Sequence, residues 1–268
     1  LTLFACSKDE NNTANDYSKG TFIVNEGLFN SGTGTITYVK EDVQIADLFE
    51  QQNPGLVLGN IAQSIIKFDN KYFIAVNNSA KIVVVNASDF KMIGEIKINL
   101  PRYFVSTGNK LYVTSWSTDF TSGFINLIDV PTLSIKKSTP VEGLAANNNI
   151  YTTISASEYD KYKNHVIRYD ITKDELSDAI AVGDNSNDLV QDKNGDIWVL
   201  CSGFYNFSDP KLNTNGSLHK ISDNKSVFSI KLDNGVNKLA INPAKDKIYF
   251  LGGTHVFQMD VNQLNANP

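Results

Sequence analysis

From Thr21 onward, short runs rich in Val, Ile, Tyr and Phe alternate with clusters of Asn, Asp, Gly and Ser. No stretch keeps a helical period, so the pattern predicts an all-β chain. The apolar runs are also self-similar. Phe22, Phe73, Tyr112, Tyr151, Trp198 and Tyr249 each sit in a run of the form of Lys110-Leu111-Tyr112-Val113-Thr114, with spacings of 51, 39, 39, 47 and 51 residues. A second anchor closes the following run, as in Val85-Asn86, Ile128-Asp129, Tyr169-Asp170, Ile221-Ser222 and Met259-Asp260.

Each repeat has room for four short strands. In the second, these are A over residues 63–68, B over 72–77, C over 81–87 and D over 92–98. Four-stranded repeats of about 40–50 residues predict a β-propeller. A lone blade buries too little surface, so blades must stack on one another. A β-sandwich also has many short strands, but it would not repeat an aromatic anchor six times. The first repeat supplies only B, C and D, over 22–25, 35–39 and 44–49, and the chain stops just after strand C of the sixth. The expectation is therefore about five to six blades of a propeller that is seven-bladed when complete.

Composition narrows the chemistry. The 268 residues are 41% hydrophobic and carry a net charge of −5, which argues against nucleic acid as a partner because no basic stripe can neutralise phosphates. Two cysteines cannot build a disulfide framework, and three scattered histidines (His165, His219 and His255) leave little scope for a metal site. Hydrolase elbows, His-Glu-x-x-His and phosphate-binding glycine loops do not occur. The chain reads as a binder that needs no cofactor, not as an enzyme.

Leu3-Phe4-Ala5-Cys6 has the form of a lipobox, in which a small residue precedes the Cys that takes the lipid. The alternative is a chance Cys after a short apolar run. On the lipobox reading, residues 1–5 are a signal-peptide remnant, 6–20 are the lipidated Cys6 and a polar tether, and 21–268 are the propeller. Acyl chains on Cys6 would be the sole membrane anchor. Ser7-Lys8-Asp9-Glu10 resembles the surface-export signal of Bacteroidota lipoproteins. That resemblance implies the outer membrane and the cell surface, with the periplasm-facing leaflet as the alternative.

The repeats resemble the YVTN-repeat, YncE-like propellers, especially a surface-lipoprotein branch of Bacteroidota. The matching stretches include Val24-Asn25-Glu26-Gly27, Gln63-Ser64, Asn77-Asn78-Ser79-Ala80-Lys81-Ile82, Leu100-Pro101-Arg102-Tyr103 and Asp192-Lys193-Asn194-Gly195-Asp196-Ile197-Trp198-Val199-Leu200. They cover nearly the whole chain from about residue 21. The branch includes lipoproteins that capture cobalamin above a TonB-dependent transporter. The resemblance thus implies a corrinoid ligand and a transporter partner, without marking any corrinoid contacts.

Blade geometry places candidate residues independently. B–C loops emerge on one face and are nearly minimal in repeats two and six, but swell over 117–123, 156–164 and 204–216 in repeats three, four and five. The swollen loops carry Phe120, Tyr159, Tyr162, Phe204, Tyr205 and Phe207, with Trp116 at the edge of the first. Together they predict one aromatic wall for a flat or sugar-like ligand or a protein surface. The alternative is that these rings pack back onto their own loops.

Arg102, beside Tyr103 in a D–A connection of the same face, is suited to a carboxylate or phosphate. The alternative is an inter-blade salt bridge. Asn25, Glu26 and Asn77 end B strands near the same mouth, with turn chemistry as the alternative for the asparagines. Rim carboxylates Asp119, Glu158, Asp160 and Asp209 raise glycoside chemistry as a lesser reading. An interaction scaffold for a protein or glycan is the other. Asp192-Lys193-Asn194-Gly195-Asp196 looks like the start of a calcium loop but lacks a Glu at the twelfth position, and its place in an A–B hairpin favours a turn.

Overall fold

A computed structural model of the chain describes residues 16–120, 122–142, 144–145, 151–155, 164–170, 172–233 and 235–264. Sheet one holds β1 (Thr21–Asn25), β2 (Thr35–Lys40) and β3 (Val43–Ile45), and is followed by a short helix, α1 (Leu48–Gln52). Sheet two holds β4 (Ala62–Phe68), β5 (Lys71–Val76), β6 (Lys81–Asn86) and β7 (Met92–Lys97). Sheet three holds β8 (Pro101–Thr107), β9 (Lys110–Trp116), β10 (Ser122–Asp129) and β11 (Ser134–Glu142). Sheet four holds β12 (Leu144–Ala145), β13 (Tyr151–Ser155), β14 (His165–Asp170) and β15 (Glu175–Ala181). Sheet five holds β16 (Ser186–Gln191), β17 (Ile197–Cys201), β18 (Gly216–Ser222) and β19 (Lys225–Leu232). Sheet six holds β20 (Asn237–Ile241), β21 (Lys247–Gly252) and β22 (His255–Asp260).

Every sheet is antiparallel, and each strand pairs with the next in sequence. This is the blade of a β-propeller, and successive blades pack face to face in chain order. First strands meet first strands (β4 on β8, β16 on β20), while last strands meet last strands (β7 on β11, β15 on β19).

The anchors explain why the sheets stack. Successive side chains on a strand point to opposite faces, and the middle strands β5, β9 and β17 are buried on both. Tyr72 and Ile74 of β5 pack into a cluster with Ile36 and Tyr38 of sheet one. Phe73 and Ala75 of the same strand pack the other way, against Phe104, Leu111 and Val113 of sheet three. Tyr112 meets Tyr169 between sheets three and four, with ring centroids 5.4 Å apart. Val166 and Val199 join sheets four and five. Trp198, Leu200, Ile248 and Phe250 join sheets five and six. β5 and β17 thus read as unbroken apolar runs because neither of their faces is wet.

Two expectations need correction. The third strand placed over 44–49 is shorter: β3 ends at Ile45, and Leu48 and Phe49 belong to α1, where both are buried against sheets one and two. Their apolar character serves a helix cap over the blade junction rather than an edge strand. Tyr17, placed in the tether, is 1% exposed. Its N–H donates to Ser88 O (3.0 Å), its carbonyl accepts from the Tyr72 hydroxyl (2.9 Å), and its ring lies edge-on to Tyr38.

No helix among the described residues is long and apolar enough to cross a membrane. Cys6 lies outside the described residues. Cys201 is fully buried in β17, and burial pushes its thiol up to about 12.

Candidate binding face at the strand ends

B–C loops, D–A connections and the starts of the first strands all lie at one end of the blades. At that end, each described first strand of sheets two, three, five and six breaks its ladder once. The register skips between Ala62 and Ser64, between Pro101 and Phe104, between Ser186 and Asp188, and between Asn237 and Leu239. The residues left out of pairing are Gln63, Arg102 with Tyr103, Asn187 and Lys238. A bulge frees its residue from the pleat and re-aims the side chain. Four blades therefore present a polar residue at one structural position.

The best-connected part spans the first three sheets. Gln63 Nε2 donates to Glu26 Oε1 (3.2 Å) and to the Tyr103 hydroxyl (3.4 Å). The Arg102 guanidinium carbon lies 4.1 Å from the centroid of the Trp116 ring and 5.4 Å from that of Tyr103. Its Nε is buried with no hydrogen-bond partner, and no ion pair to Arg102 occurs among the described residues. The inter-blade salt bridge weighed for Arg102 does not form among the described residues. Burial pushes its pKa below the usual guanidinium value, while the Tyr103 hydroxyl and the charge of Glu26 act in the opposite sense.

The other candidates fall into place around this group. Asn77 Nδ2 donates to Pro101 O (3.0 Å), so its amide braces the strand that carries Arg102. The Asn25 amide is committed within its own sheet, to Thr35 Oγ1 (3.2 Å) and Thr37 Oγ1 (3.0 Å). Phe120 lies edge-on to Trp116 at 6.1 Å, is 53% exposed, and takes a left-handed backbone (φ 59°) in a turn closed by its N–H to Ser117 O (3.0 Å).

In the loop of sheet five, Phe204 and Thr214 exchange backbone hydrogen bonds of 3.3 and 3.0 Å, making a small hairpin. Gly203 starts it at φ 74°, where a side chain would strike the Thr214 carbonyl. At its tip Tyr205 and Phe207 meet edge-on at 4.7 Å, 55% and 90% exposed.

Among the described residues, Trp116 pairs with Phe120 and Tyr205 with Phe207. Tyr159, Tyr162, Glu158 and Asp160 lie outside the described residues. Asp119 accepts from Ser117 Oγ (2.5 Å) and Asp209 from the Lys211 N–H (3.1 Å), as turn residues do.

Asp192, at the calcium-like stretch, is 2% exposed and accepts from the N–H groups of Asn194 (2.8 Å) and Asp196 (3.1 Å) and from the Trp198 indole (3.0 Å). Its oxygens are spent on the hairpin. No cluster of metal-ligating side chains occurs among the described residues. A cavity of about 900 Å³ between sheets five and six is lined by Ile230, Leu232, Phe250, Phe257 and His255, and by none of the bulge residues.

Sequence reasoning singled out Arg102, Tyr103, Trp116 and Glu26, which the structure brings together, but gave no part to Gln63 or Lys238. The available signal was a polar residue recurring near the start of strand A in an otherwise apolar repeat. Asn187 donates to Ser202 Oγ, and Ser202 Oγ in turn donates to Val236 O at 2.6 Å, linking sheet five to sheet six.

Residues 19–266 match the family described as Domain of unknown function (DUF5074), and the chain belongs to it. No curated protein matches the sequence. The fold is similar to a quinonprotein alcohol dehydrogenase-like protein from Bacteroides thetaiotaomicron, at 15% identity and TM-score 0.58, over 93% of this chain and 63% of that one. It is also similar to the Dos1 propeller, at 9% identity and TM-score 0.58, over 90% and 66%. Kuenenia stuttgartiensis hydrazine synthase matches at 15% identity and TM-score 0.54, over 73% and 58%. The chain spans less than two thirds of each of these structures, and the likeness is one of fold.

Proposed function

We propose that the chain is a binding protein, not an enzyme, and that it takes its ligand at the strand-end face centred on Arg102, Trp116 and Tyr103. The observation that carries this is the Arg102 guanidinium itself: half-buried, stacked on an indole, and with an Nε that no described residue satisfies. A group held so only for packing would leave a buried donor without compensation, which costs about 1–3 kcal/mol. The surrounding groups offer stacking and hydrogen bonds, the means of recognition.

The resemblance to surface lipoproteins adds a specific form of this reading. In it the chain is anchored through Cys6 at the cell surface and passes a corrinoid to a TonB-dependent transporter. Calorimetric titration of the full chain with cyanocobalamin tests that form. Saturable binding that weakens in Trp116→Ala supports it; the absence of heat removes the corrinoid and leaves the binding face. A second reading, docking of a protein or glycan, is favoured by the exposed Tyr205–Phe207 pair, which offers aromatic surface without a cavity.

A further inference from the structure

We propose that Arg102 is the seat for an anionic group, a carboxylate or a phosphate, carried on a planar body that lies along the Trp116–Phe120 edge. This rests on the reading of the strand-end face as the binding surface and names the chemistry of its ligand.

The bulge at Arg102 and Tyr103 sets two residues opposite one on β9, so that neither keeps the alternation of the strand. The bulge is held at two points by sheet two: the Arg102 carbonyl accepts from Ser64 Oγ at 2.5 Å, and the Pro101 carbonyl accepts from Asn77 Nδ2 at 3.0 Å. The Tyr103 N–H adds a hydrogen bond to Thr114 Oγ1 (3.2 Å). Arg102 is thus placed by a rigid support rather than by a mobile loop.

The side chain follows. At 4.1 Å from the Trp116 centroid, the guanidinium lies over the ring face, which occupies a face of the cation and leaves its hydrogen-bonding edge for another partner. An arginine edge has the fork geometry that matches two oxygens of a carboxylate or phosphate. Here the Nε end of that edge is buried and lacks an acceptor among the described residues. Glu26 is the carboxylate whose charge reaches Arg102, yet it accepts from Gln63 and forms no ion pair with the guanidinium. The Gln63 amide and Tyr103 hydroxyl stand beside the seat as further polar partners. Phe120, edge-on to Trp116 and exposed, extends an aromatic surface outward. A ligand with a charged head and a flat body fits both features.

The test is calorimetric titration of the full chain with naphthoate, naphthyl phosphate and the neutral naphthamide, repeated on Arg102→Gln and Arg102→Lys. Retention of the wild-type near-ultraviolet circular dichroism shows that each variant is folded. The expected result is that at least one anion binds about tenfold or more tighter than the amide, as a charge-assisted fork should. The preference between the two anions says which oxygen group the seat takes. Arg102→Gln removes the preference, and Arg102→Lys restores only part of it, because charge without the fork remains. Equal binding of anions and amide, or a preference that survives Arg102→Gln, overturns the anion seat and leaves the face as a binding surface. Absence of binding by all three probes overturns both.

Discussion

Ser64 Oγ donates to the backbone carbonyl of Arg102 at 2.5 Å, a hydrogen bond from the bulge of one sheet to the bulge of the next. The same relation recurs between sheets five and six, where Asp188 Oδ2 accepts from the Leu239 N–H at 2.9 Å. In both cases the residue after a bulge hydrogen-bonds backbone at or next to the neighbouring bulge. The bulges are thus joints between blades as well as devices for aiming side chains. Removing the hydroxyl in Ser64→Ala should destabilise the fold by about 1 kcal/mol, as one lost hydrogen bond does. It should also weaken ligand binding at Arg102 without touching the guanidinium. Denaturant unfolding and calorimetry on the same variant check the two effects.

Asp192 tests the hairpin reading. Its carboxylate serves two backbone N–H groups and the fully buried Trp198 indole. In Asp192→Ala the indole donor stays buried without its acceptor, and a loss of about 2–3 kcal/mol is expected, at the upper end for a charged acceptor. Denaturant unfolding reads it. Added calcium should leave the midpoint of the wild type unchanged; a calcium-dependent rise would reinstate the metal loop.

His219 supplies a pH dependence. Burial lowers its pKa, and its ring lies within hydrogen-bond reach of Ser217 (3.0 Å) and Ser226 (3.3 Å). A histidine whose folded pKa lies below the unfolded value of about 6.5 binds fewer protons when folded. Stability then rises with pH wherever the unfolded chain holds the extra proton. Its contribution is full above about pH 6.5 and is lost as the pH falls through the folded value. Unfolding midpoints of wild type and His219→Asn, compared at neutral pH and near pH 5, should converge at the lower pH. A constant difference would assign the acid sensitivity elsewhere.

The blades were legible because their middle strands are apolar on both faces: Tyr72-Phe73-Ile74-Ala75 can only be read as fully buried. The strands of the second repeat fall within a residue of their expected ends. Leu48 and Phe49 misled because an apolar pair just after a strand looks the same whether it extends the sheet or caps it from a helix. Tyr17 misled because its neighbours are polar, and one aromatic in a polar stretch gives no periodicity.

The site was legible only as single residues. Arg102 and Trp116 could be placed at one end of a blade, but stacking between them depends on the bulge. A bulge is a relation between two strands that neither strand spells out alone. The role of Gln63 was hidden for the same reason, since its partners Glu26 and Tyr103 come from two other sheets.

The chain contains two tryptophans, Trp116 at the strand-end face and Trp198 sealed between sheets five and six. Their indole N–H signals in a two-dimensional NMR titration with naphthoate, and separately with cyanocobalamin, give a direct test of where ligand binds. A bound ligand should move the Trp116 signal and leave that of Trp198 in place. Movement of Trp198 with Trp116 unchanged, or no movement of either with both ligands, would contradict it.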